Sequence, residues 1–566
     1  MNEMALLGDE AAALGALHAG LSAAYGYPGT PSTEILEYLI AEYEKGGPRA
    51  AWCSNEKTAL EAALGVSFTG RRALIAMKHV GLNVAADPFI NSALLGIRGG
   101  LVLAVADDPG MHSSQNEQDS RFYAAFAITP CIEPRSQQEA YDMAREAFDV
   151  SERFRTPVLL RLVTRLSHAR AGVSVREARG QNSLSQRDDR TKWLLLPAFA
   201  RQNYLSLIEK RRDMEKWAWD RAPGALEMEG RDASFVVITA GLGGNYYEEN
   251  LEDFTASRGG KEPARFHVSA YPLPEEALRR LCADAERALV IEEGQPFIEE
   301  KLRGILPQRV RVSGKLDGTL ERTGELDPDI TRRALGLPPR PSIFSVPAGE
   351  GSSAFEAHNG GVDLPQAFGD LKLPPRPPQL CAGCPHCDSY GAIMKAVEEL
   401  DPAEGHPSVA VLSDIGCYSL GAMPPYSVPE SIVCMGASVG MARGAAEAGV
   451  KYAIGVIGDS TFLHSGTAAL IDAATAGTPM TLVILDNSAV AMTGCQETIL
   501  PSSRLRELLL GIGIAAERIL ELEARKQLIE YNAGLLKKEV EHPGVSVVIF
   551  RRECLEAARK RKKAEI

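Results

Sequence analysis

The sequence is short of cationic charge, of long apolar runs and of cysteine, and each shortage closes off a class of function. Its 61 lysines and arginines against 74 acidic residues leave a net charge of −13, the wrong sign for a nucleic-acid surface, which is normally basic. No apolar run approaches the ~20 residues that a membrane-spanning helix needs, so no span is expected. The opening MNEMALLGDE has no charged segment followed by an apolar core, so no secretory signal is expected either. Ten cysteines in 566 residues, without an export signal, argue for reduced thiols or metal ligands rather than disulfides. The expected compartment is the cytoplasm. What is present is a globular composition, 45% hydrophobic and 24% charged, on a chain long enough for three or so domains with separate cores.

The strongest local pattern covers residues 452–496. The apolar run 453–457 reads as a buried parallel strand, Gly458-Asp459-Ser460 as the turn after it, and 465–476 as a helix. A second apolar run, 480–485, ends in Asp486-Asn487. Open α/β sheets place ligands where an acid and an amide stand like this, at the carboxyl ends of neighbouring strands. Asp459 and Asn487 offer two hard oxygen ligands. These are too few for a closed cage, but they suit magnesium, which completes its shell with phosphate and water. An ordinary Rossmann-like unit whose strands end in polar residues explains the spacing equally well.

A resemblance separates these readings. GDS at 458–460 followed by DN at 486–487 resembles the diphosphate–magnesium motif of thiamine diphosphate (ThDP) enzymes, usually GDG and then NN. The resemblance implies that Asp459 and Asn487 bind magnesium through their side chains. The Ala489 carbonyl would complete the protein's share, with Gly458 and Ser460 beside the diphosphate. Ser460 for glycine and Asp486 for asparagine depart from the usual motif, and both departures occur in the 2-oxoacid:ferredoxin oxidoreductase branch.

Residues 1–175 alternate helices and strands and are expected to form a doubly wound parallel sheet, the pyrimidine-binding domain of the resemblance. Residues 8–24, 33–43 and 56–66 read as helices, the second capped by Ser32. Residues 52–55, 73–77, 101–106 and 157–162 read as strands. The segment Ser54-Asn55-Glu56-Lys57-Thr58-Ala59-Leu60-Glu61 resembles the one that carries a buried glutamate against the aminopyrimidine ring, at Glu56. An acid at a helix N-terminus, favoured by the dipole alone, is the plainer account of that residue. Tyr27-Pro28-Gly29-Thr30-Pro31-Ser32 resembles a turn whose threonine contacts the 2-oxoacid carboxylate, which makes Thr30 the substrate candidate. The polar stretches 77–83 and 107–119 resemble those of indolepyruvate ferredoxin oxidoreductase α subunits.

Residues 176–232 read as a connector, with a charged amphipathic helix at 198–219. Residues 233–346 resemble the transketolase C-terminal-type α/β domain, with strands at 235–239, 264–268 and 288–292; Glu292 and Glu293 are expected to be structural. Residues 347–378 form a Pro- and Gly-rich linker, 379–555 the diphosphate-binding domain and 556–566 a basic, solvated tail. In that last domain a strand at 409–412 leads to Ser413-Asp414-Ile415-Gly416-Cys417, with Gly416 expected at the cofactor. Met435-Gly436 resembles the site where an apolar side chain bends the cofactor into its V shape.

The run Cys381-Ala382-Gly383-Cys384-Pro385-His386-Cys387 alone suggests zinc or iron–sulfur. It resembles the C-x-G-C of these oxidoreductases. That resemblance implies a 4Fe–4S cluster held by Cys381, Cys384, Cys417 and Cys554. Zinc and unligated thiols stay open as alternatives, and Cys387 and Cys495 leave the fourth ligand unsettled. Cys53, Cys131, Cys282 and Cys434 read as core residues.

Taken together, the resemblance implies oxidative decarboxylation of an arylpyruvate, indolepyruvate or phenylpyruvate, with coenzyme A, the electrons leaving through the cluster. Glu56 would activate the cofactor. His464 would donate a proton to the substrate, a histidine bonded to backbone being the alternative. The implied partners are a smaller β subunit with the oxidoreductase γ-type fold, in an α2β2 assembly or at least a dimer, and ferredoxin or another electron acceptor. No pair of C-x2-C-x2-C-x3-C runs precedes Ile566, so the electron exit is expected to differ from the family's. A non-oxidative ThDP decarboxylase or carboligase is the first rival. A non-catalytic, nucleotide-binding paralogue is the second.

Overall fold

A computed structural model describes residues 3–184, 197–221, 230–340, 379–403, 406, 408–432, 435–447 and 450–564. The expected linker 347–378 and Cys434 lie outside these residues. The chain divides into two compact units, Met1–Leu373 and Pro374–Ile566.

The first unit contains strands β1 (Glu3–Leu7), β2 (Leu21–Gly26), β3 (Arg49–Trp52), β4 (Arg72–Lys78), β5 (Leu101–Asp107), β6 (Cys131–Ile132), β7 (Val158–Val163), β8 (Arg170–Ser174), β9 (Asp232–Ala240), β10 (Pro263–Val268), β11 (Ala270–Tyr271), β12 (Arg287–Ile291) and β13 (Arg311–Ser313). Seven of them make one sheet in the order β11-β6-β7-β5-β4-β2-β3, parallel throughout except at β11. Helices cover a parallel sheet on both faces, so its strands read as unbroken apolar runs. The runs in β4 and β5 do, and both strands are buried almost to the last residue.

Three local expectations fail here for identifiable reasons. The helix expected at 8–24 ends at His18; Gly20 turns with φ of 81° and the chain becomes β2. Its short side chains suit either state, and pairing with both β3 and β4 decides in favour of the strand. The strand expected at 52–55 is displaced to Arg49–Trp52, which leaves 53–55 as the turn presenting Glu56. Ser32 is no cap. Its hydroxyl donates to the Gly29 carbonyl at 2.8 Å, and the Gly29 N–H donates to Thr33 Oγ1 at 3.0 Å, closing the loop around Thr30.

The second sheet of this unit, β10-β9-β12-β13, is also parallel. A buried ionic network joins it to the first. Arg121 donates to Asp119 at 2.5 and 2.9 Å, to Glu292 at 2.7 Å and to the Glu293 carbonyl at 2.9 Å. Arg161 donates to Asp107 at 2.7 Å and also pairs with Glu133, which accepts from the Tyr271 hydroxyl at 2.8 Å. Glu292 further accepts from the Ile298 and Glu299 N–H groups at 3.0 Å, so this carboxylate is consumed by structure. Burial would raise Asp119, but Arg121 and Arg161 outweigh it and hold it at about 2. Removing one partner from such a network strands charge in the interior. Arg121→Met is therefore expected to destabilise the protein by roughly 3–5 kcal/mol in chemical denaturation, whereas Arg504→Met, on an exposed pair, should cost less than about 0.5 kcal/mol.

Asp9, in the first turn of helix Gly8–His18, has the opposite problem. It is fully buried, neither carboxylate oxygen reaches a hydrogen-bond partner, and burial pushes its pKa up to about 8. The folded chain therefore holds a proton that the unfolded chain has released, and stability falls as pH rises from the unfolded value of about 3.9 toward 8. Asp9→Asn should raise the melting temperature at pH 7.5, a gain on the order of a few kcal/mol, and have little effect at pH 4.

The second unit adds β14 (Val409–Ser413), β15 (Ser431–Ile432), β16 (Tyr452–Gly458), β17 (Met480–Asp486), β18 (Ala489–Val490), β19 (Gln496–Glu497), β20 (Ile519–Glu523) and β21 (Ser546–Arg551). Six form a parallel sheet in the order β15-β14-β16-β17-β21-β20. From β14 the chain moves to one side and from β16 to the other, so their carboxyl ends flank the switch point where such sheets bind ligands. Among the described residues no helix is long and apolar enough to cross a membrane.

Candidate active site

In the first unit the named residues gather at the carboxyl ends of β2, β3, β4 and β5. Glu56, 5% exposed, opens helix Glu56–Phe68. Its seat is Gly81, where a Cβ would lie 2.5 Å from Glu56 Oε1. Thr30 follows β2, and its carbonyl accepts from Ser113 Oγ at 3.0 Å. Lys78, the last residue of β4, runs its stem over Gly29, whose Cβ would meet Lys78 Cδ at 3.0 Å, and donates to the Ser113 carbonyl at 3.0 Å. Burial lowers the Lys78 pKa, and the charges of Asp108 and Glu56 pull it back. Burial would raise Asp108, but hydrogen bonds from Ser113 and Thr164, with Lys78 beside them, hold it below the usual carboxylate range. One ammonium thus stands among two carboxylates and the turn bearing Thr30.

In the second unit Asp459 directly follows β16 and Asp486 ends β17. Asp459 accepts from the N–H groups of Ser460 and Ser488, both at 2.8 Å. Asp486 accepts from Ser502 Oγ at 2.6 Å, and its Oδ2, which takes no hydrogen bond, stands 3.5 Å from Arg551 Nε. Burial first and Asp486 second drive the Asp459 pKa well above its ordinary value. Two buried carboxylates facing each other in this way are what a divalent cation would relieve. Ser488 adopts a left-handed φ of 59°, which swings the chain round Asn487. Asn487 accepts from the Ala489 N–H at 3.1 Å and contacts His386 Nε2 through its amide nitrogen at 3.2 Å. Burial lowers the His386 pKa to about 4, so the ring is neutral and accepts from that amide. Asn487 is held with its oxygen turned away from the ring.

Gly458 and Gly416 both lie under the Tyr418 ring, where a Cβ would approach to 2.5 and 2.3 Å. Gly436 (φ 88°) faces Ser465 at 2.6 Å on the same measure and donates to Asp414 at 3.2 Å, with Met435 beside it half-buried. Burial raises Asp414 to about 6, against hydrogen bonds from Ser438 and Tyr418. The helix expected at 465–476 begins earlier, at Asp459. A π-turn, Phe462–Gly466, interrupts it and carries His464, buried and paired with the Ser465 hydroxyl through Nδ1. Such turns recur at functional sites.

Six thiols share one neighbourhood. Burial raises Cys417 to about 12 and Cys384 to about 11, and the nearby thiols, Cys381 and Cys554 among them, add to both shifts. Cys554 stands near Cys495, and Cys387 and Cys384 both stand near the Tyr426 hydroxyl. Arg552 fastens the two ends of this group, donating to Asp388 at 2.6 Å and to the Gly383 carbonyl at 2.9 Å. The Cys554 N–H donates to the Asn487 carbonyl at 3.0 Å. Among the described residues no group of three or more His, Cys, Asp or Glu side chains converges as a ready metal site. The donor chemistry nevertheless fits soft metal at the thiols. It also fits a hard cation at Asp459, where the remaining donors would be an amide and a carbonyl. Cys131 and Cys282 are core residues as expected, and Cys53 is only half-buried.

Residues 14–198 match the family "Pyruvate flavodoxin/ferredoxin oxidoreductase, thiamine diP-bdg", and residues 414–509 match "Thiamine pyrophosphate enzyme, C-terminal TPP binding domain". Indolepyruvate oxidoreductase subunit IorA of Archaeoglobus fulgidus is 36% identical over 97% of this chain and 86% of its own length. The same-named subunit of Methanothermobacter thermautotrophicus is 34% identical over 98% and 87%, and that of Thermococcus kodakarensis 33% identical over 97% and 85%. The chain belongs to the indolepyruvate oxidoreductase subunit IorA family. It is a thiamine diphosphate-dependent oxidoreductase of the 2-oxoacid class, with the multi-domain α/β fold expected.

In this IorA-family chain the sequence singles out Thr30, Glu56, Asp459 and Asn487 but not Lys78, Asp108 and His386, which stand around them, or Arg552, which ties down the cysteine loop. Lys78 and Asp108 lay within stretches already noted as polar strand ends, and that polarity was the available signal. His386 sits between Cys384 and Cys387, where the cysteines drew attention away from it. Arg552 carried no local signal at all, since its partners lie some 165 residues earlier.

Proposed function

We propose that the chain oxidatively decarboxylates an aryl 2-oxoacid, such as indolepyruvate or phenylpyruvate, and delivers the acyl group to coenzyme A. The products are an aryl-acetyl-CoA, carbon dioxide and two electrons. The observation that carries the oxidative reading is the hydrogen bond from the Cys554 N–H to the Asn487 carbonyl, at 3.0 Å. It joins the thiol group to the loop of the proposed diphosphate ligand.

Bound ThDP supplies the electron sink on which the 2-oxoacid loses carbon dioxide. Asp459, Asn487 and the Ala489 carbonyl hold magnesium on its diphosphate, beside Gly458 and Ser460, and His386 fixes the Asn487 amide. Gly416, Met435 and Gly436 shape the cofactor's seat. Glu56 holds and returns a proton at the aminopyrimidine. Thr30 and the Lys78 ammonium receive the substrate carboxylate, and His464 donates a proton. Cys381, Cys384, Cys417 and Cys554 bind one 4Fe–4S cluster as thiolates. A smaller β subunit completes an α2β2 assembly, and ferredoxin or a similar carrier takes the electrons.

The test is an anaerobic assay of the chain, purified with iron, sulfide, ThDP and magnesium, with and without its β subunit. Indolepyruvate, phenylpyruvate and pyruvate are compared, with coenzyme A and methyl viologen present. The expected result is a kcat/KM at least about tenfold higher for the aryl acids than for pyruvate, since one side-chain group in a fitted pocket changes kcat/KM by roughly this factor. Two viologens should be reduced per carbon dioxide. An iron-free protein that releases aldehyde and reduces no dye is instead a non-oxidative decarboxylase.

A further inference from the structure

The second unit carries a concentrated positive charge next to its thiols. Residues 553–563 contain five cations and two carboxylates, on a chain of net charge −13. Helix Leu555–Ala564 begins directly after Cys554, and the Ala558 N–H bonds the Cys554 carbonyl at 3.0 Å. Lys560 Nζ donates to the carbonyl of Gly494, the neighbour of Cys495, at 2.6 Å. The helix is thereby fixed against both the Cys554 and the Cys495 loops.

Glu556 and Glu553 are already paired, with Arg559 and Arg561. Lys562 and Lys563 are exposed and have no ion-pair partner among the described residues. On the adjoining loop, two residues before Gly494, Met492 is 49% exposed. Cations around a small apolar spot suit an encounter that is steered by charge and needs little buried area. A bilayer would need an apolar face, and the one large apolar residue of this helix, Leu555, packs 3.3 Å from the Cβ position of Gly383.

We propose that helix Leu555–Ala564 is the docking surface for a small acidic one-electron carrier protein of the ferredoxin type. This rests on the reading of the neighbouring thiols as iron–sulfur ligands. In each encounter one electron leaves the chain's reduced cluster, which is oxidised, and reduces the carrier's cluster. Two encounters clear the two electrons of a turnover, and no bond is made or broken.

The test compares the assembled wild-type enzyme with the charge-reversed variant R559E/K562E/K563E, its fold checked by circular dichroism and melting. Binding of an acidic two-cluster bacterial ferredoxin is measured by biolayer interferometry. Reduction of that ferredoxin and of methyl viologen is followed separately. Wild-type binding should weaken at least about tenfold between 25 and 250 mM salt, where screening shortens from roughly 20 to 6 Å. The variant should lose at least about tenfold in ferredoxin affinity and kcat/KM at low salt, with viologen reduction unchanged. Equal ferredoxin binding and reduction by the two proteins overturns the proposal. So does tighter wild-type binding to basic cytochrome c or to a single-stranded RNA 20-mer. If neither protein reduces viologen while ferredoxin still binds the wild type far better, the iron–sulfur reading fails and the docking surface stands.

Discussion

Glu56→Gln is expected to lower turnover by about 10²- to 10⁴-fold while leaving the melting temperature close to that of the wild type, the range that proton transfer by a positioned side chain contributes. Glutamine keeps the size and hydrogen-bonding capacity of the side chain and loses only the carboxylate's ability to hold and return a proton. The position of that carboxylate is set by Gly81, where an added Cβ would stand 2.5 Å from Oε1. A methyl group there must push the carboxylate aside. Gly81→Ala should therefore reproduce part of the loss, at least about tenfold, because a displacement of about 1 Å at a reacting group is enough to do so. Both variants are read in the viologen assay alongside a thermal melt. Wild-type turnover by Glu56→Gln would leave this residue as an acid favoured only by its helix dipole.

Asp459→Asn carries the second large effect, and its two consequences have opposite signs. Asp459 and Asp486 are buried side by side, and burial first, with the charge of Asp486 second, raises the Asp459 pKa well above normal. Without a cation, deleting one of the two charges removes a repulsion, so the cofactor-free variant should melt at a higher temperature than the cofactor-free wild type. With magnesium present, the same change removes the proposed anionic ligand, and ThDP affinity should fall by about 100-fold or more in calorimetric titration. Loss of an outer partner of a metal ligand alone costs 10- to 100-fold. A site built for function and strained without its ligand shows this exchange of stability for activity. Asp486→Asn should bind ThDP with a smaller loss, since Asp486 Oδ1 is already held by Ser502, and should gain less in cofactor-free melting temperature, since it also removes the ion-pair partner of Arg551.

How much of this was legible in the sequence depends on the distance over which each decision was made. β4 and β5 could be read directly, because strands buried on both faces must be apolar at every position. β2 could not. Its Ala-, Ser- and Tyr-containing stretch lies between helical and extended preferences, and its two neighbours in the sheet settled the matter. The antiparallel pair of β1 with β8 joins residues some 165 positions apart, and nothing local marks either strand. At the site, Asp459 and Asn487 were visible because each directly follows an apolar strand and offers oxygen. The residue that orients Asn487, His386, comes from 101 positions earlier and is silent in its own segment. The like-charge contact of Asp459 with Asp486 followed from the DN departure only once the parallel register of β16 and β17 had placed both strand ends together.

The most direct test of the central claim is the rate at which the thiazolium C2 proton of bound ThDP exchanges with deuterium, followed by quenched-flow NMR in the wild type and in Glu56→Gln with magnesium and cofactor saturating. Exchange in the wild type faster than in the variant by about 10² or more, the scale of a positioned acid–base group, is the predicted result. Equal exchange rates in the two proteins, with cofactor bound equally well, would contradict it.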